Sequence, residues 1–210
     1  MALNKNKLQT DLAKVFSDMK YAGENTSDDD FAEGIAKAVK DFGEGGSVST
    51  SDSGTVSSGS FVGSGSGSLS LTDSDMSTPI KTACTAMKAG SGDDNTLATA
   101  IGAGILAMTS KQNVVSTSVT GTTTNPSGSV VPPSSGSAKG TITCDNSDLI
   151  QGLKDTFSNM KSKAHDEGFN GDTYLAQQLA DLTYDYFKNG SIETKGQGAL
   201  SGTTGTGSIS

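Results

Sequence analysis

The feature that most constrains this fold is a pattern of apolar residues that occurs three times along the chain. Each occurrence has four side chains separated by 4, 4 and 3 residues, a spacing that places them on one face of an α-helix. The three sets are Phe31, Ile35, Val39 and Phe42; Leu97, Ile101, Ile105 and Met108; and Leu175, Leu179, Thr183 and Tyr186. Tandem recurrence of this kind is typical of repeat proteins.

A second helical stripe with the same spacing precedes each of these sets. Its members are Leu8, Leu12, Phe16 and Met19; Met76, Ile80, Cys84 and Met87; and Leu149, Leu153, Phe157 and Met160. A lysine follows the methionine each time, at Lys20, Lys88 and Lys161. We therefore predict two helices in each unit, joined in the first unit by a loop over residues 21–27, and we expect the three methionines in equivalent buried positions.

Each unit then ends on a segment in which a glycine and an aliphatic residue alternate with polar residues. The three endings are Ser66-Gly67-Ser68-Leu69-Ser70, Lys139-Gly140-Thr141-Ile142-Thr143 and Thr206-Gly207-Ser208-Ile209-Ser210. The sequence thus predicts an α+β fold of three tandem repeats, each a helix pair followed by a polar β-hairpin or extended strands. The repeats span residues 1–72, 73–145 and 146–210, the second having a longer, Pro-containing strand segment, and together they account for the chain.

The predicted strands are poor in side chains that could form a core. Residues 51–70 are mainly Ser and Gly, with isolated Val56, Phe61, Val62 and Leu69, a composition that by itself is typical of a flexible linker. The matching ending of the third unit favours strands instead. Because such strands have little to bury, we expect another surface to supply their partner, through strand addition by a neighbouring subunit.

The net charge disfavours several kinds of partner, and the distribution of apolar residues disfavours export and membrane insertion. The formal charge is −8 and the pI about 4.5, which disfavours direct binding of nucleic acid or of an anionic membrane surface, since both depend on Lys and Arg. Residues 1–5 lack the apolar region of a signal peptide, and no window resembles a membrane span. We expect a soluble protein made in a cytoplasm.

The sequence offers no set of residues suited to catalysis. The single histidine, His165, lies in a predicted loop and has no equivalent in the other units. Cys84 takes the place of a phenylalanine in its sister helices and is predicted to be a core side chain, whereas Cys144 has no equivalent; whether the two are oxidised stays open. We predict no catalytic, cofactor-binding or metal-binding residues, no cofactor and no small-molecule substrate.

Acidic residues precede the second helix of each unit, as in Asp28, Asp29 and Asp30. Short acceptor side chains and negative charge stabilise a helix N-terminus, so we interpret these residues as caps. Calcium binding is the alternative, although the ligand spacing and closing Glu of an EF-hand are missing.

The repeated unit resembles the repeat-built structural proteins of tailed-bacteriophage virions. The resemblance rests on the opening stripe Leu8, Leu12, Phe16 and Met19, on the segment Phe31-Ala32-Glu33-Gly34-Ile35-Ala36, and on the endings 65–70 and 205–210. It covers all three units and implies a virion location after synthesis in the host cytoplasm, with other copies of the chain and neighbouring virion proteins as partners.

We therefore expect a non-enzymatic structural component of a virion, in the neck or collar, the tail or the capsid decoration. It would assemble through helix faces and strand addition. The alternatives are an adhesive or carbohydrate-binding repeat module and a virion assembly chaperone that is absent from the finished particle.

Overall fold

The structure, a computed structural model, describes residues 2–21 and 27–210. The predicted loop at 21–27 falls largely on residues 22–26, outside the described part. The helices are α1 (Lys5–Tyr21), α2 (Asp28–Glu44), α3 (Ser74–Lys88), α4 (Asp94–Thr109), α5 (Ser147–Lys163) and α6 (Gly171–Asn189). The strands are β1 (Val48–Val56), β2 (Gly59–Leu69), β3 (Val115–Thr124), β4 (Val130–Val131), β5 (Ser135–Thr143), β6 (Ser191–Gln197) and β7 (Thr203–Ile209).

Six of the strands form a closed antiparallel barrel. Three hairpins, β1–β2, β3–β5 and β6–β7, follow one another around it, and β7 pairs with β1 to complete the circle. The places where one hairpin pairs with the next are β2–β3, β5–β6 and β7–β1, and we call them the three seams. The short strand β4 precedes β5 in the chain and is separated from it by a bend at Pro132 and Pro133. It pairs with the end of β3.

The helices form a second closed layer. Each of α1 to α5 contacts the helix that follows it, and α6 contacts α1. Because the second helix of each pair leads within a few residues into β1, β3 or β6, one end of the helix ring adjoins the barrel and the other lies away from it.

A layer of aliphatic residues joins the two parts at the mouth of the barrel. The three seams place Val48 opposite Ile209, Leu69 opposite Val115, and Ile142 opposite Ile192. All six side chains are buried in the same cluster as the apolar stripes of the helices. The aliphatic residue of each unit ending therefore links the strands to the helical core.

One layer deeper, each seam pairs a threonine with a glycine. Thr50 lies opposite Gly207, Thr117 opposite Gly67, and Thr194 opposite Gly140. A Cβ at any of these three glycines would overlap the backbone carbonyl oxygen of the facing strand, that of Ser49, Ser116 or Glu193. The glycine in each unit ending is thus required by close approach of the backbone across a seam.

The far end of the barrel has its own small core. Val56, Phe61, Val119, Ala138 and Leu200 form a separate buried cluster. Leu200 belongs to a short 3₁₀ helix (Gly198–Leu200) between β6 and β7 and is fully buried. This helix closes the end of the barrel remote from the α-helices.

The expectation of strand addition is wrong for the six barrel strands. Each pairs on both sides within its own chain, so the barrel offers no free edge. The expectation is wrong because small side chains do form an interior in this protein. A barrel of only six strands is narrow, so glycine, threonine and a few aliphatic residues fill it.

The expected burial of the stripe residues is correct in part. The first two residues of each α1, α3 and α5 stripe are buried, but Met19, Met87 and Met160 are only partly buried, as is Phe157. These last positions lie near the helix ends away from the barrel, where the described residues form no second layer over them. Among the described residues, no helix is both long enough and apolar enough to cross a bilayer.

The close approach at the seams predicts the effect of a single methyl group. Gly207→Ala should lower the free energy of unfolding by about 1–3 kcal/mol or more, because the added Cβ must displace backbone. Gly171→Ala is the control: it lies in the first turn of α6, and its Cβ would meet the flexible end of Met160 at 3.3 Å and the Phe169 ring at an ordinary contact distance of 3.8 Å. Urea denaturation of both variants measures the difference. Equal stability of the two would contradict the packing described.

Candidate interaction surfaces

Three ion pairs connect neighbouring helix pairs at the end of the ring away from the barrel. Lys88 pairs with Asp28 at 2.8 Å, Lys161 with Asp94 at 2.6 Å, and Lys20 with Asp172 at 3.5 Å. Each joins the end of the first helix of one unit to the start of the second helix of another. The lysines are those that follow the three methionines in the sequence.

Two of these contacts raise the pKa of the lysine that takes part in them. Hydrogen bonding to Asp28 raises the pKa of Lys88, and hydrogen bonding to Asp94 raises that of Lys161. Both side chains are exposed, so each pair is a weak contact that salt screens. Together they connect the three helix pairs in a circle.

The predicted capping by acidic residues is confirmed for Asp30 and Asp93, whereas Asp28 and Asp29 lie in the first turn of α2 without capping it. In α2 the cap is Ser27, whose hydroxyl accepts a hydrogen bond from the Asp30 amide, while the Asp30 carboxylate accepts from the Ser27 amide at 2.8 Å. In α4, Asp93 and Thr96 form the same reciprocal box, and in α6 the cap is Asn170.

The caps lower the pKa values of their carboxyl groups. The Ser27 backbone amide, and then its hydroxyl, hold the pKa of Asp30 below the usual value. The Thr96 amide does the same for Asp93. Since Asp28 and Asp29 pair with Lys88 and Lys81, all three acidic residues of the first cluster have partners in the protein.

The outer face of the barrel is covered with hydroxyl groups. Its exposed side chains include Ser49, Ser51, Ser53, Ser60, Ser64, Ser66, Ser68, Ser116, Ser118, Thr120, Thr122, Thr124, Ser135, Ser137, Thr204, Thr206 and Ser208. Charge on this face is concentrated at Lys139, Glu193 and Lys195, on β5 and β6. Val62 on β2 and Val130 on β4 are exposed apolar residues at its far end.

The outer faces of the helix pairs differ in charge. The α1–α2 face carries the ion pairs Lys7–Asp11, Lys14–Asp18 and Lys37–Asp41. The corresponding groove between α3 and α4 is lined by small and uncharged side chains, with one carboxylate at its rim. We call it the α3–α4 groove; its residues are Pro79, Thr82, Ala83, Ala86, Asp93, Asn95, Thr96, Thr99, Ala100 and Ala103.

Threonines contribute to the apolar character of the α3–α4 groove. The hydroxyls of Thr82 and Thr99 donate to backbone carbonyls four residues earlier in their own helices, at 3.1 and 2.8 Å. These hydroxyls are therefore already bonded, and the face presents mainly methyl groups.

Neither cysteine forms a disulfide. Cys84 is partly buried against the helical core, in line with its predicted role, and burial raises the pKa of its thiol. Cys144 donates to the Tyr186 carbonyl at 3.6 Å, and its thiol pKa is also raised by burial. A high thiol pKa means little thiolate and low reactivity.

Cys144 also lines a cavity of about 320 Å³ between α5 and α6, together with Asp145, Asp148, Asp185 and Tyr186. Burial raises the pKa of the Tyr186 phenol, whose hydroxyl shares a hydrogen bond of 2.7 Å with Thr109. His165 lies exposed in the α5–α6 loop, apart from this cavity. Among the described residues, no group of three or more His, Cys, Asp or Glu side chains is arranged to hold a metal ion.

One polar residue that the sequence analysis did not single out lies inside the barrel. Asp52 on β1 is 1% exposed, and its two carboxyl oxygens accept hydrogen bonds from the hydroxyls of Thr50, at 2.6 Å, and Thr194, at 3.2 Å. The signal was present in the alternation of β1, where residues 48, 50, 52 and 56 face inward. When β1 and β3 are aligned by their seams, Asp52 on β1 occupies the position that Val119 has on β3.

Comparisons with protein-family models, with curated protein sequences and with solved structures find no match to this chain.

The lowered pKa of Asp30 predicts how its cap responds to acid. A carboxyl group with a lower pKa in the folded chain stabilises the fold above its ordinary value of 3.8, and the stabilisation disappears as the pH falls through the lowered value. Asp30→Asn should therefore have a lower melting temperature than the unaltered protein at pH 7. The difference should shrink as the pH falls from 7 through the lowered pKa of Asp30, because a protonated Asp30 is neutral like the asparagine.

Thermal melts across this pH range, with EDTA added to a parallel set, measure the effect. A difference that is independent of pH would contradict the capping role. A large fall in melting temperature on adding EDTA would favour calcium instead.

Proposed function

We propose that this protein is a non-enzymatic structural component of a tailed-bacteriophage virion, built from three copies of one unit around a pseudo-threefold axis. The seams carry this proposal: all three repeat the same sequence of opposed residues, an aliphatic pair followed by threonine against glycine. Such a chain is a rigid block that folds before assembly. Its location in a virion rests on the resemblance of the repeated sequence pattern.

The internal use of polar groups supports a structural role. The acidic residues at the helix starts form caps and ion pairs between units. The strand amides and carbonyls of the barrel pair with one another. What remains for neighbouring subunits is side-chain surface, so assembly in this proposal uses faces and not strand edges.

The face that suits contact with another copy of the chain is the α3–α4 groove. A formal charge of −8 makes two copies repel each other, and this repulsion is smallest where both surfaces lack charge. The groove comes closer to that condition, with the Asp93 carboxylate at its rim, whereas the α1–α2 face carries several ions. Two copies meeting at this groove around a twofold axis would form a self-complementary interface.

The hydroxyl-covered barrel favours an adhesive or carbohydrate-binding module as the second candidate. Sugars bind to hydroxyl and amide groups, but adhesive sites also use exposed aromatic rings. In the described strands the one aromatic residue is Phe61, which lies inside the barrel at 1% exposure. The structural role therefore has the stronger support.

The virion assignment predicts that the chain is present in finished particles. Quantitative mass spectrometry of gradient-purified virions should find it at a fixed ratio to the major capsid protein. Its presence in infected-cell lysate but not in virions would favour an assembly chaperone. Binding to glycan arrays by the isolated protein, together with absence from virions, would favour the adhesive module.

The groove assignment predicts the effect of one added charge. Ala103→Glu places a carboxylate in the α3–α4 groove and should abolish concentration-dependent self-association, because the two carboxylates would meet across the interface. Ala107→Glu, at an exposed site one turn further along α4 and outside the groove, is the matched control. Sedimentation velocity over a concentration series distinguishes them; identical behaviour of the two variants would rule out this face.

A further inference from the structure

The Gly-rich strands of the barrel leave their own alignment weakly determined. Register is normally fixed by a strict division between core and solvent side chains, and it is weakly specified in strands rich in glycine and small polar residues. In β7 the residues 203–207 are Thr, Thr, Gly, Thr and Gly, and in β1 the residues 49–54 are similarly small. Some additional contact must distinguish the correct pairing from one shifted by two residues.

The β7–β1 seam has the greatest need of such a contact. The other two seams join strands that are linked by a single helix pair, α3–α4 or α5–α6. The seam between β7 and β1 joins the described strands that lie farthest apart in the sequence, so no short connection limits how they align.

Asp52 supplies a contact of this kind at that seam. Its carboxyl group on β1 reaches across β7 to the Thr194 hydroxyl on β6, while Thr50 holds the other carboxyl oxygen. It crosses β7 at Gly205, where a Cβ would overlap both the carboxyl group and the Thr194 hydroxyl. We propose that this arrangement of Asp52, Thr50, Thr194 and Gly205, the Asp52 clamp, fixes the register of the seam that closes the barrel.

The clamp rejects a shift in either direction. Suppose that β6 and β7 move together by two residues, so that Gly207 lies opposite Asp52. The β6 residue on the far side of Gly207 is then Ile192 and not Thr194, because Ile192 pairs with Gly207. The carboxyl group then loses a donor while it stays buried. If they move the other way, Thr203 lies opposite Asp52 and its side chain occupies the space that Gly205 leaves free.

The clamp also distinguishes β7 from β5. At the equivalent position of its seam, β5 has Ala138, opposite Gly196. An alanine there would bring a Cβ into the position that Gly205 keeps open, so β5 cannot replace β7 beside β1. A buried polar group that loses a partner in a wrong arrangement can specify one register.

The proposal predicts that removal of the clamp permits slippage without unfolding the protein. Val is the residue at the equivalent position of β3, Val119, so Asp52→Val should still fold. Thr194→Val removes only the distant donor and serves as a second variant. Thr117→Val is the matched control: it lies at the same level of the barrel as Thr50 and Thr194 with 3% exposure, and its hydroxyl donates to the Ala138 carbonyl at 3.5 Å and not to Asp52.

Disulfide trapping can report the register, in a background with Cys84→Ala and Cys144→Ala. Ser49→Cys with Ser208→Cys joins residues that lie directly opposite each other in the native register. Ser51→Cys with Ser208→Cys joins residues that would be opposite after a shift of two. Mild oxidation, followed by mass spectrometry of the monomer, measures the yield of each cross-link.

We expect the shifted cross-link to be a minor product in the otherwise unaltered protein and in Thr117→Val. It should rise about tenfold relative to the native cross-link in Asp52→Val and Thr194→Val. If both clamp variants keep the low yield, or if Thr117→Val rises equally, the clamp does not fix the register. Should Asp52→Val fail to fold, Thr194→Val decides the question alone.

Discussion

The narrow interior of a six-stranded barrel is the constraint on which the rest of this structure depends. Opposed strands lie so close that a glycine is needed at the same level of every seam, at Gly67, Gly140 and Gly207. Threonine fits beside each glycine, and aliphatic side chains are accommodated only at the mouth and the far end. The strands therefore have few hydrophobic residues, and this lowers the hydrophobic content of the whole chain, which is 32%. The helices supply the large apolar side chains that the barrel cannot hold.

The two closed layers support each other. The six helices bury most residues of their apolar stripes on the inside of the ring. The aliphatic residues at the mouth of the barrel complete that core at the end of the ring that adjoins the barrel. Ion pairs at the opposite end of the ring connect the same helix pairs in a circle. Contacts between the three helix pairs and their hairpins therefore occur at three levels, in the barrel, in the helical core and at the helix ends.

Helix positions and strand identity could be predicted from the sequence because their signals are local. The 3.6-residue periodicity located all six helices, and the repeated endings located β2, β5 and β7. The closure of the barrel could not be predicted in this way, since pairing between Val48 and Ile209 depends on residues far apart in the chain. The same limitation hid Asp52, which resembles a surface residue among serines until β6 and β7 are placed beside it. The difference between helix faces was missed because it appears only when α3 and α4 are seen together, with their charged residues turned towards α2 and α5.

Closure of the barrel within one chain is the central claim, and hydrogen exchange on a dilute monomer tests it most directly. In the antiparallel pairing of β7 with β1, the Ser210 and Ser47 amides bond to each other's carbonyls, so by alternation the amides of Thr204, Thr206 and Ser208 also bond across this seam. A closed barrel predicts that these amides exchange as slowly as those in the middle of α4. Rapid exchange of β7 amides in the monomer, with slow exchange only after assembly, would contradict the account, because the strands would then find their partners in other chains.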